Sequence, residues 1–190
     1  MGSFKKGRTH PIPLRKRAKT NNGVLAVIES GKTELDHRYL TFILADQLYG
    51  TPVTQVTEIH QLIDITRVPK VPDFIRGVIN LRGKVIPVVD LRSKFGTTVT
   101  PATKQTSIIV VESESGQIGA IVDSVQSVLE FSSAEIEPPP VFENSQDQQP
   151  CFGVGKIEDA IVILVNLSQT LSGASLRAKV NMTPAELLGH

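Results

Sequence analysis

The 190-residue chain is poor in several things at once: it has one cysteine, 5% aromatic residues, no apolar run of membrane length and a formal net charge of only +1. The lone Cys151 excludes an internal disulfide and, without histidine neighbours, a cysteine-based zinc site, which fits a reducing cytosol. The longest strongly apolar runs, such as Ile161 to Val165, fall far short of the roughly 20 residues a membrane helix needs. The N-terminus carries no signal-peptide apolar core, so a soluble, cytoplasmic protein is expected. A balance of 20 Lys and Arg against 19 Asp and Glu removes the overall basic excess that would suggest a nucleic-acid coat. What is present, 40% hydrophobic and 21% charged residues, allows one ordinary domain or two small ones packed together and excludes a long disordered polymer.

The balance hides an asymmetry. Residues 1–20 hold seven Lys or Arg and no acid, so the remainder carries 13 bases against 19 acids, a net of −6. Residues 1–37 mix charge, Asn, Gly and Pro around one apolar stretch, Val24 to Ile28, and read as a basic flexible arm. From Tyr39 the texture changes to short β-branched runs between Gly, Pro, Asn and Ser turns, at 39–44, 53–59, 78–81, 85–91, 107–112, 118–122, 125–131 and 161–167. That texture predicts an all-β barrel or sandwich. Single helical turns are expected at Asp73 to Arg76, stopped by Gly77, at Arg92 to Phe95 before Gly96, and at Ser168 to Leu171. Pro138-Pro139-Pro140 opens a polar loop that runs to Pro150, and residues 173–190 form a polar tail with a weak helix-start signal at Thr183 to Glu186.

The most informative pattern is internal. Gly77 to Leu91 lies over Gly153 to Leu167 without a gap, with apolar positions coinciding almost throughout. Likewise Gly50, Val53, Val56 and Ile59 lie over Gly119, Val122, Val125 and Val128. Two copies of one small β unit follow, each too small to bury much apolar surface alone, so they are expected to pack together with a candidate binding groove at their seam.

Individual residues have plain readings first. Arg82 and Gly83 separate two apolar runs, so a hairpin is expected whose tip needs Gly83 for a positive φ and exposes Arg82 as a solvated turn arginine. Glu58 interrupts an apolar strand and must be exposed or paired, because a buried lone carboxylate is costly. Val56, Ile59, Val125 and Val128 read as core positions of a β protein, and Gly77 and Gly119 as structural glycines at a turn or helix stop. Ala26 to Thr33 fits a permissive phosphate-loop pattern, but it offers one glycine and no parallel α/β body. His10, His37, His60 and His190 are scattered without metal-ligand spacing. Asp90 recurs as Asn166, which an essential carboxylate in both halves would not tolerate. No catalytic set, cofactor site or metal site emerges.

The stretch Val71-Pro72-Asp73-Phe74-Ile75-Arg76-Gly77-Val78-Ile79-Asn80-Leu81-Arg82-Gly83-Lys84-Val85-Ile86-Pro87-Val88-Val89-Asp90-Leu91-Arg92 resembles the signature of the CheW family of bacterial chemotaxis coupling proteins. Further matches stand in family order: Tyr49-Gly50 and Val56-Thr57-Glu58-Ile59 before it, then Val122-Asp123-Ser124-Val125, Ile136-Glu137-Pro138-Pro139-Pro140 and Gly155-Lys156-Ile157-Glu158-Asp159 after it. The resemblance covers about residues 38–172. It implies two SH3-like β-barrel subdomains around a shared hydrophobic core with few short helices, the first about 38–100 and the second about 104–172, with strand exchange between them allowed. It implies a non-catalytic adaptor joining the regulatory domain of the histidine kinase CheA to the cytoplasmic tip of methyl-accepting chemoreceptors, hence recruitment to membrane-associated arrays. It also implies partner contact at Arg82 and Gly83, pairing of Arg82 with Glu58, and kinase or receptor surfaces around Val56, Ile59, Val125 and Val128. Thr51-Pro52 departs from the family, which has an aliphatic residue and then an acid after Tyr49-Gly50. The competing reading is a small β-barrel that binds nucleic acid through its basic arm. The acidic body and scarce aromatics argue against stacking platforms there.

Overall fold

A computed structural model describes residues 37–114, 116–139, 151–157 and 160–172. Most of the basic arm, the phosphate-loop-like segment, the loop up to Pro150, Asp159 and the tail from Gly173 lie outside the described residues. Within them the chain order is β1 (Arg38–Leu44), β2 (Gln47–Pro52), a 3-10 turn (Val53–Gln55), β3 (Val56–Gln61), β4 (Ile75–Leu81), β5 (Lys84–Asp90) and α1 (Leu91–Lys94). Then come β6 (Ser107–Ser113), β7 (Gly116–Val122), β8 (Ser124–Glu130), a second 3-10 turn (Ser133–Glu135), β9 (Ile136–Glu137), β10 (Cys151–Ile157), β11 (Ala160–Val165) and α2 (Leu167–Leu171). Strand residues far outnumber helical ones, as the β-branched texture predicts, but the expected run at 53–59 opens with the 3-10 turn and is a strand only from Val56, and β2 and β10 lie outside the expected runs.

The expected helical turn at Asp73 to Arg76 is instead a β-turn. Ile75 N donates to Pro72 O at 2.9 Å, and β4 begins at Ile75, opposite Val89. Proline followed by glycine punctuates turns as readily as it starts and stops helices, and the pairing with β5 decides between them. Gly77 is therefore no helix stop. It sits at φ +142°, beside a register shift between Ile75 and Gly77, where a Cβ would collide with the Thr66 carbonyl. That carbonyl accepts from Val78 N at 2.8 Å, and Thr66 N donates to Val78 O at 2.9 Å, so bare backbone is what lets the chain after β3 reach β4.

The strands form two sheets, one ordered β8-β1-β2-β11-β10-β9 and the other β3-β6-β7-β5-β4. The internal repeat maps onto them element by element. Arg38–Leu44 matches Ser107–Ser113, Ile75–Leu81 matches Cys151–Ile157, and α1 matches α2. Both parallel seams coincide as well: Gly50 stands opposite Leu164 where β2 meets β11, and its counterpart Gly119 stands opposite Val88 where β7 meets β5. Gly119 is thus neither at a turn nor at a helix stop but inside β7, where a Cβ would lie 2.9 Å from Ile108 Cγ2, so this glycine serves a close approach between strands. Each sheet takes two strands from one copy of the repeat and the rest from the other, β1 and β2 joining β8–β11 while β3–β5 join β6 and β7. The edges of each sheet are brought together by the chain that leaves β3 or β8: Thr66 bridges Val78 in one, and β9 pairs with β10 in the other.

The runs on β1 and β6 are apolar on both faces because both faces are covered. Leu40, Phe42 and Leu44 of β1 enter a central cluster with Ile109 and Val111 of β6, Val122, Leu167 and Leu171. Tyr39 faces a second cluster with Phe131, Val162 and Leu164, while Ile108 and Val110 face a third with Ile79, Ile86 and Val88. Each barrel thus has its own interior, and the central cluster is the core they share.

Candidate partner-binding site

The β4–β5 hairpin pairs Leu81 with Lys84, which leaves a two-residue turn of Arg82 and Gly83. Both residues have positive φ, +52° and +83°, the primed turn whose twist suits a hairpin. The sequence signalled only Gly83. The turn geometry imposes the left-handed conformation on Arg82 too, at a cost of about 1–2 kcal/mol for a residue with a Cβ. Asn80 Oδ1 accepts from Gly83 N at 2.9 Å and braces the tip. The Arg82 side chain is 82% exposed, and its Nη2 stands 3.5 Å from Glu58 Oε2.

Glu58 lies on β3, opposite Val110 of β6, just after a register shift between Val56 and Glu58. β3 and β4 are the two edge strands of the five-stranded sheet, so the Glu58–Arg82 pair reaches across the line where this barrel closes. The same oxygen, Glu58 Oε2, is also 2.9 Å from His60 Nε2, two residues along the same face of β3. Spacing of two on a strand was the available signal for His60, hidden by its lack of metal-ligand spacing.

The remaining expected site residues separate by depth. Val56 and Val128 are 4% and 5% exposed and belong to the central cluster, so they present no side chain to a partner and support the surface from beneath. Ile59 and Val125 are half-buried against that cluster and keep part of their surface outside. Gly77 and Gly119 act through backbone approach.

Sequence reading missed a buried ion network near α1. The Arg92 guanidinium holds Asp90 through both carboxylate oxygens, at 2.9 and 2.8 Å, and reaches Asp123 Oδ1 at 2.8 Å and Thr100 O at 3.1 Å. Asp123 Oδ2 in turn accepts from Ala45 N at 2.8 Å. Arg92 is thereby held above its ordinary value, chiefly by its hydrogen bonds to Asp90. Asp90 also caps α1 by accepting from Arg92 N, as Asn166 caps α2 by accepting from Gln169 N, and this shared task explains why a carboxylate in one repeat can be an amide in the other. Burial pushes the Cys151 thiol up, against an activated thiolate. Among the described residues no group of three or more His, Cys, Asp or Glu is placed to hold a metal, and no helix is long and apolar enough to cross a membrane.

The chain is similar to known proteins. The family model of the CheW-like domain matches residues 38–175. The chain is 31% identical over 154 residues to the chemotaxis protein CheW of Klebsiella aerogenes, covering 81% of this chain and 93% of the relative. It is 31% identical over 134 residues to the chemotaxis protein CheW of Helicobacter pylori, covering 70% and 81%. Among solved structures it is similar to the scaffolding protein TtCheW of Thermoanaerobacter tengcongensis, with a TM-score of 0.67 and 36% identity over 74% of this chain and 95% of that one.

Proposed function

Because the chain belongs to the CheW-like domain family, with its two SH3-like subdomains, we propose that it is a non-catalytic adaptor which couples chemoreceptors to the histidine kinase CheA in a chemotaxis-type pathway. It works in the cytoplasm and is recruited to membrane-associated receptor arrays. The observation that carries this reading is Arg82, an exposed side chain kept in a left-handed turn and braced by Glu58. An arginine exposed at a hairpin tip, with no interior task, fits a contact presented to a partner. The contact residues are Arg82, Gly83, Glu58 and Ile59 on the five-stranded sheet and Val125 on β8 of the six-stranded sheet, with Val56 and Val128 packed in the central cluster. The partners are the kinase regulatory domain and the cytoplasmic tip of methyl-accepting receptors. The CheW-like domain spans residues 38–172, its halves at about 38–100 and 104–172 contributing to both barrels.

The test is reconstitution of kinase, receptor fragment and the full chain on a clustering template. Phosphorylation should rise when all three are present relative to kinase with receptor alone. Equal kinase activity with and without the chain would remove the adaptor reading.

A further inference from the structure

We propose that His60 is a third, pH-sensitive member of the Glu58–Arg82 site, a positioning residue whose protonation frees Arg82 from Glu58 and weakens partner binding. The inference rests on the adaptor reading of that same site. Its basis is geometric: His60 Nε2 and Arg82 Nη2 address one oxygen, Glu58 Oε2, at 2.9 and 3.5 Å. His60 holds the shorter contact and is fixed on a strand, whereas Arg82 reaches in from a turn with an almost wholly exposed side chain.

A neutral imidazole contributes one hydrogen bond and leaves the carboxylate charge to Arg82. An imidazolium neutralises that charge itself, through a charge-assisted bond, and repels the guanidinium. Histidine as a residue type makes this change between about pH 5 and 8. The other charged groups on the elements packed around the site include Glu112 of β6, beyond the residues paired with β3, Arg76 of β4, Lys84 of β5, and Asp64 and Arg67 in the chain that leads from β3 to β4. Among the described residues, the ion-pair partners of Glu58 within 4 Å are His60 and Arg82.

The experiment uses the full chain and has two readouts. The first needs no partner: the Arg82 Nε–Hε resonance is followed by NMR from pH 5.5 to 8. It should move between pH 5.5 and 8 in the native chain and stay flat in His60→Gln, which keeps a neutral donor near the carboxylate. The second is affinity for the recombinant kinase regulatory domain and for a receptor cytoplasmic fragment. The native chain should bind about two- to fivefold more weakly at pH 5.5 than at pH 8 relative to His60→Gln, whose pH profile removes the partners' own titrations. A flat Arg82 resonance in the native chain overturns the proposal, as does a native affinity profile identical to that of His60→Gln. If Arg82 follows the titration but neither partner binds at any pH, the adaptor reading fails and takes with it the proposed effect on binding.

Discussion

Truncating Arg82 to alanine separates a contact residue from a structural one. The gross attraction of two unit charges 3.5 Å apart is about 1 kcal/mol in water, and holding an arginine side chain in place costs up to about 1.5–2 kcal/mol in lost rotamers. With Arg82 82% exposed, the pair therefore nets no more than about 1 kcal/mol of folding stability. Glu58 is not stranded by the change, since His60 Nε2 remains 2.9 Å from the same oxygen. Alanine keeps the Cβ, so the left-handed strain is unchanged and the substitution isolates the side chain. The melting temperature should fall by at most about 4 °C, read by circular dichroism. Binding should respond differently. At the centre of an interface, losing an arginine costs about 2 kcal/mol or more, which raises Kd for kinase domain or receptor fragment about thirtyfold. Glu58→Ala should show a smaller loss of the same kind. An Arg82→Ala chain that unfolds, or one that melts normally and binds both partners with native affinity, would refute the reasoning.

Gly77→Ala should lower stability by about 3–5 kcal/mol, through a backbone conformation unsuited to a side chain and loss of the two Thr66–Val78 hydrogen bonds; the melting temperature should drop by roughly 6–20 °C, and a loss under 3 °C would contradict the bulge argument. Arg92→Met should cost a similar amount in urea unfolding, because Asp90, fully buried, would lose its bidentate partner; a cost near that of Arg82→Ala would show that burial does not distinguish the two arginines. Burial raises the Cys151 thiol, so the folded chain holds its proton more tightly than the unfolded chain does. The stability this contributes is present below the ordinary thiol range and is lost as pH rises through the folded value. Alkylation by iodoacetamide at pH 8 should accordingly run several-fold slower in the native chain than in urea, and equal rates would count against it.

The repeat of Gly77 to Leu91 as Gly153 to Leu167 was legible without coordinates, because strand pairs with the same buried faces need apolar side chains at the same positions. The primed turn was half legible: Gly83 announces a positive φ, whereas nothing in an arginine announces that Arg82 must share it. Local punctuation misled at Asp73 to Arg76, where a proline and a glycine suit a helical turn as well as a β-turn and the pairing of Ile75 with Val89 made the choice. Other features lay beyond any sequence window. The exchange of strands between the two repeats is decided by which packing closes both barrels over one central core, a comparison of whole-chain burial. The meeting of Arg92 with Asp123 depends on that same exchange, since it joins α1 of one repeat to the end of β7 in the other. The sequence by itself determined most of the strands, though not β2, β9 or β10, together with the twofold repetition and the charged residues available. The tertiary structure alone decided which of those charges share an oxygen, as His60 and Arg82 do at Glu58, because ion pairs form at distances of a few ångströms that only closure of the barrel brings about.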